Sequence, residues 1–137
     1  MALAALDIVA VHMEDAGQNI KMQPQPPMFG ILDSSEENYD VLWEDGRTST
    51  VENSLALDKI LPPAVNALNG QRVAVNLTPS ANYQASSDYI GVVLNIYKRD
   101  QGGAAEPPSD DLALVKLLSS GMFVEVLASR CAVTSTG

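Results

Sequence analysis

Apolar and polar residues alternate most regularly in the stretch from Tyr39 to Glu52. Tyr39, Val41 and Trp43 interleave with Asp40, Leu42 and Glu44, which is the period of a strand that buries one face. Asp45-Gly46 then predicts a two-residue hairpin turn of type I′. Such a turn needs positive φ at both centres, which glycine adopts without steric penalty. Arg47 to Glu52 returns as a Thr-rich strand ending at Val51, a composition that suits a sheet. Tyr39, Trp43 and Gly46 are therefore expected to anchor this hairpin, with Trp43 on its inner face.

Shorter apolar runs surround it. Ile8-Val9-Ala10-Val11 predicts a first strand and Phe29-Gly30-Ile31-Leu32 a second. Residues 13–28 between them read as a long loop, because Pro24, Pro26 and Pro27 keep it out of a sheet interior. Residues 33–38 form a polar connection. Residues 55–61 read as a helical turn or a short last strand, stopped by Pro62-Pro63.

The same order then recurs. Val73-Ala74-Val75 echoes Val9-Ala10-Val11, and Ile90-Gly91-Val92-Val93-Leu94 echoes Phe29-Gly30-Ile31-Leu32. Residues 112–118 and 122–127 make a second hairpin turning at Ser120-Gly121. The connections 78–88 and 100–111 differ in length from their first-half counterparts, and loops are where length changes are tolerated. The pattern predicts an all-β chain in two consecutive halves, 1–63 and 64–137. Each half is small enough to be marginal alone.

A first strand, a long first loop, a Gly-containing second strand and then Tyr39-x-Val41-x-Trp43-x-Asp45-Gly46 resemble the small-barrel class that includes Tudor and Src-homology-type domains. The resemblance covers the first half well and the second less well, because Lys116 and Leu118 stand where the first hairpin has Val41 and Trp43. It implies two small SH3-like (Tudor-like) antiparallel barrels in tandem, with long irregular loops. Such barrels bend short strands until the sheet nearly closes and its edges are protected.

Composition narrows the function classes. Hydrophobic residues make up 46% of the 137 positions, enough for a core and against wholesale disorder. Eight Lys plus Arg against seventeen Asp plus Glu give a net charge of −9. That field repels a phosphate polymer, and no basic cluster offers a local exception, so nucleic acid is not an expected partner. Cys131 is the sole cysteine, which forbids an intramolecular disulfide and a Cys-based zinc site. No apolar run is long enough to span a bilayer, and the first residues lack the basic start of a secretion signal. The expectation is a soluble protein with no membrane partner.

Candidate chemistry is sparse. His12 is the only histidine. A mechanism needing an imidazole base would rest on it with Glu14 or Asp15, yet no Ser, Thr or Cys stands in a recognisable nucleophile setting, so a strand-end histidine is the preferred reading. The acid pairs Glu14-Asp15, Glu36-Glu37, Glu44-Asp45 and Asp110-Asp111 lack the alternating spacing of a calcium loop and read as solvated turns. No phosphate loop or metal-ligand pair occurs, and no cofactor is expected. Phe29, Tyr39 and Trp43 raise one sharper alternative, a Tudor-like aromatic cage for a methylated cation in a modified peptide. All three occupy positions expected to pack inward.

The resulting expectation is a non-enzymatic structural protein of a tailed-bacteriophage virion, a decoration or head-to-tail joining piece. Small barrels with long irregular loops are common in such proteins, as the resemblance implies. Its partners would be major capsid or connector subunits and copies of itself in a homo-oligomer. The Pro- and Met-bearing arms are the expected contacts, through Met22, Pro24, Pro26, Pro27, Met28, Pro107 and Pro108. Such segments offer little core of their own and gain order on a neighbour.

Overall fold

The computed structural model describes residues 3–12, 22–34, 38–64, 67–76, 89–101 and 110–134. β-Branched and alternating runs form strands throughout, every pairing is antiparallel, and no α-helix occurs among the described residues. In chain order the strands are β1 (Ile8–Val11), β2 (Met22–Gln23), β3 (Phe29–Ser34), β4 (Tyr39–Trp43), β5 (Thr48–Val51), β6 (Leu57–Leu61), β7 (Arg72–Val75), β8 (Ile90–Gln101), β9 (Leu112–Leu117), β10 (Phe123–Leu127) and β11 (Cys131–Val133). Single 3-10 turns at Ser54–Ala56 and Ala128–Arg130 precede β6 and β11. The segment read as a turn or a last strand is therefore both, in succession.

The strands divide between two compact units. The first holds β1, β3, β4, β5, β6 and residues 98–101 of β8. The second holds β2, β7, residues 90–97 of β8, β9, β10 and β11. Relative to a cut at Pro63, each unit takes one piece of chain from the other half. Within the first unit β1 lies between β3 and β6, β4 pairs β3, and β5 pairs β4. Within the second β7 lies between β8 and β11, β9 pairs β8, and β10 pairs β9. The two orders are the same, with a 3-10 turn at the same place in each.

Register carries the likeness to single residues. Val9 faces Gly30, which faces Trp43; Val73 faces Gly91, which faces Leu117. Leu32 faces Val41 as Val93 faces Val115. The sequence alignment of the second hairpin is thereby corrected by one residue. Val115 and Leu117, both buried, stand for Val41 and Trp43, while Lys116 and Leu118 point to solvent. A one-residue slip exchanges the faces of a strand, and here the loop lengths cause it.

In the first hairpin the Gly46 N–H donates to the Trp43 carbonyl and the Trp43 N–H to the Arg47 carbonyl, both at 2.9 Å. The loop is thus the three residues Glu44, Asp45 and Gly46, with positive φ at Gly46 (88°) and not at Asp45. This is a turn followed by a glycine bulge, not the two-residue turn that Asp-Gly predicts. The second loop is one residue longer, Leu118 to Gly121, closed by a 2.8 Å bond from the Leu117 N–H to the Met122 carbonyl.

Each unit has its own core. Val9, Leu32, Val41 and Leu57 are fully buried in the first, and Tyr39, Trp43 and Val51 pack against them. Val73, Val93, Val115, Leu117, Val124 and Val126 lie at the centre of the second.

Candidate functional site

The most concentrated chemistry of the first unit lies at the end of β1. Asp58 on β6 stands opposite Ala10 on β1 and Gln101 on β8, and Arg99 on β8 stands opposite Ile60. One Asp58 carboxylate oxygen is 2.6 Å from His12 Nδ1, and the other accepts from Arg99 Nη1 at 3.1 Å. The same Arg99 nitrogen donates to the Val11 carbonyl at 2.8 Å. Side-chain exposure is 3% for Asp58, 5% for Arg99 and 25% for His12. A carboxylate on the Nδ1 side orients an imidazole as in a catalytic triad, but a triad needs a nucleophile within reach of the other nitrogen. Among the described residues no Ser, Thr or Cys bonds to His12. The expected neighbours Glu14 and Asp15 lie outside the described residues. The cluster ties three strands together through a buried ion pair.

The hairpin supplies two open grooves. One, of about 310 Å³, is lined by Ile8, Phe29, Ile31, Leu42, Trp43 and Glu44. Trp43 is half-buried, lies close over Gly30, and donates its indole N–H to Ser49 Oγ at 2.6 Å. Tyr39 packs on the core at the other end of β4 and does not line this groove. The second groove, of about 550 Å³, is bounded by Asp33, Asp40, Leu42, Thr48 and Thr50. Asp40 there accepts a 2.8 Å bond from Thr50 Oγ1. At the turn, Asp45 accepts from the Arg47 backbone N–H at 2.9 Å and from Arg47 Nε at 2.5 Å. These bonds hold the Asp45 carboxyl below its ordinary range.

Trp43 is thus an anchor at the rim of the core and not at its centre. Trp43→Ala should lower stability by about 2–3 kcal/mol, below the ~3–5 of a fully buried large aromatic. Because the chain has one tryptophan, its native emission reads this environment directly. A maximum between those of buried and water-exposed indole is expected, and a fully exposed value would contradict the packing.

The candidate arm residues fall in different settings. Met22 belongs to β2, opposite Val124 of β10, and is exposed along with Pro24 and Pro26, whereas Pro27 and Met28 are half-buried. Pro107 and Pro108 lie outside the described residues, as do the acid pairs Glu14-Asp15 and Glu36-Glu37. Of the remaining acids, Asp111 accepts a 3.0 Å bond from the Ala64 N–H. Among the described residues no group of three or more His, Cys, Asp or Glu has the placement to hold a metal ion. Nor is any described helix long and apolar enough to cross a membrane.

Burial pushes the Cys131 thiol up to about 11, whereas an unfolded chain exposes a thiol titrating near about 8.5. Between those values the unfolded state loses its proton while the folded state keeps it, so stability falls as pH rises through the window. Partial exposure limits the loss to about 1–2 kcal/mol. The check is the denaturation midpoint from pH 8 to 11, with Cys131→Ala losing less over this window than the parent chain.

Compared with known protein families, curated proteins and solved structures, the chain finds no match.

Proposed function

We propose that each unit is a small SH3-like (Tudor-like) barrel, and that the pair is a non-enzymatic assembly module. Its place would be the capsid or head-tail connector surface of a tailed-bacteriophage particle. The observation that carries this reading is the repetition: the same five-strand order, twice, with the last strand returning beside the first. That return is what brings a short sheet near closure. The chain also lays a strand from its long first connection on the edge of the second unit's sheet, a use of extended segments that suits subunits joined by arms. The −9 net charge directs such a module toward basic or polar surfaces, with charge setting orientation and apolar contacts supplying affinity.

The aromatic-cage alternative draws less support. Phe29 and Trp43 share a groove, but Tyr39 is packed on the core and the Trp43 indole is bonded to Ser49. Two rings make a poor cage for a methylated cation.

The test is particle composition. Quantitative mass spectrometry of purified virions should find this chain at a fixed ratio to the major capsid subunit. Its absence from them overturns the particle assignment.

A further inference from the structure

The two units differ at one edge. In the second, β10 is not the last strand of its sheet, because Met22 and Gln23 pair with Val124 and Phe123 on its outer side. In the first, β5 holds the same place in the strand order, and no described strand pairs its outer edge.

The equivalence extends to hydrogen-bonding direction. Gly46 and Gly121 both take positive φ, and each strand starts two residues later, at Thr48 and Phe123. The Trp43–Arg47 and Leu117–Met122 bonds fix which groups face inward. Because direction alternates along an antiparallel pair, Thr48 and Thr50 send N–H and C=O outward, as Phe123 does toward Gln23. Thr48, Ser49 and Thr50 are all exposed. A row of open backbone groups is a template for another strand, and natural folds blunt or cover it. This chain covers one such edge with its own β2.

The face beside the open edge says what kind of strand fits. Asp40 lies opposite Thr50 and Leu42 opposite Thr48, so these four share one face, and with Asp33 they border the groove of about 550 Å³. A strand added to β5 would pass alternate side chains over that face. Its long side chains would reach across Thr48 and Thr50 toward exposed Leu42 and Asp40 on β4, with exposed Asp33 of β3 at the far side of the same groove.

We propose that the β5 edge is a docking site for an extended segment of a partner protein that alternates apolar and basic side chains. It binds by strand addition, as β2 binds β10 within this chain. A second copy of this edge fits less well, since it brings Asp40 of its own β4 and Glu52 just after its own β5 to an already acidic groove. The site is independent of the particle assignment above, because it rests on the strand edge and its neighbouring charges.

The probe is a short capped peptide alternating arginine and valine, with a glutamate-valine peptide as the charge control. Binding is followed by amide shifts and hydrogen exchange. The arginine peptide should bind and slow exchange at Thr48 and Thr50, while the glutamate peptide should not bind. Asp33→Asn with Asp40→Asn should weaken binding at least about tenfold, the scale of a lost charge-assisted hydrogen bond. Thr50→Pro removes an outward N–H and should abolish binding. Should that variant fail to fold, an arginine-valine peptide N-methylated at alternate residues gives the same test on the intact chain and should also fail to bind. Equal binding of the N-methylated peptide, equal binding of the glutamate peptide, or no slowing at Thr48 and Thr50 overturns the proposal. So does a concentration-dependent dimer, in sizing, that protects the same two amides.

Discussion

Asp58→Ala should lower the stability of the chain by about 3–5 kcal/mol, the loss seen when one partner of a buried ion pair is removed. Asp58 and Arg99 are both almost fully out of water. Without the carboxylate, the guanidinium keeps its bond to the Val11 carbonyl but loses the buried negative charge 3.1 Å from it. His12 loses its partner as well. A typical domain is stable by only ~5–15 kcal/mol, so the urea midpoint should fall far. Asp58→Asn keeps the shape and an accepting oxygen, and its smaller loss measures the charge separately. The pair itself is a weak stabiliser, since desolvating two ions offsets most of their attraction. Replacing both, Asp58→Leu with Arg99→Met, should therefore recover much of what the single change loses. An Asp58→Ala variant with an unchanged midpoint would contradict the cluster as described.

That cluster was not legible in the sequence, and the reason is distance along the chain. His12 and Asp58 are brought together by the β1–β6 pairing, and Arg99 joins them through β6–β8. Local patterning has no access to such contacts. It also misjudged β8: the connection read from Asp100 onward begins inside the strand, which runs to Gln101. Charged residues extend a strand when a partner across the ladder compensates them, as Asp58 does for Arg99. β2 escaped for another reason, because two residues beside a proline carry no periodicity.

What the sequence did carry was the order of elements and most inward faces. Tyr39, Val41 and Trp43 do turn to the core, and Asp40 and Leu42 to solvent. Its error at the turns was geometric, not topological. Asp-Gly is compatible with a two-residue loop and with a three-residue loop that places only glycine at positive φ. The choice rests on hydrogen bonds that composition does not record. In the second hairpin the same ambiguity propagated into the strand, and Lys116 was set where Val115 belongs.

The repeated glycines give the sharpest single-residue expectation. Gly30 and Gly91 sit at the same register position of the two units, each beneath the third strand. At Gly30 a methyl group would meet Val41 Cγ1 at 2.6 Å and Trp43 Cε3 at 2.9 Å, with the Leu42 carbonyl at 3.0 Å. The two closest atoms belong to side chains, buried Val41 and half-buried Trp43, and the backbone contact is the longest of the three. At Gly91 the methyl would meet Val115 Cγ1 at 2.5 Å and the Lys116 carbonyl oxygen at 2.6 Å. That oxygen is backbone, held in the β8–β9 ladder, so relief requires the strands to separate. Overpacking ordinarily costs about 1–3 kcal/mol, and more where the backbone must move. Gly91→Ala should therefore lose about 3 kcal/mol or more, and Gly30→Ala about 1–2. Paired urea denaturation curves decide the matter. Equal losses would mean that the fit of β9 over β8 is looser than the contacts require. A larger loss at Gly30 would place the tighter strand crossing in the first unit.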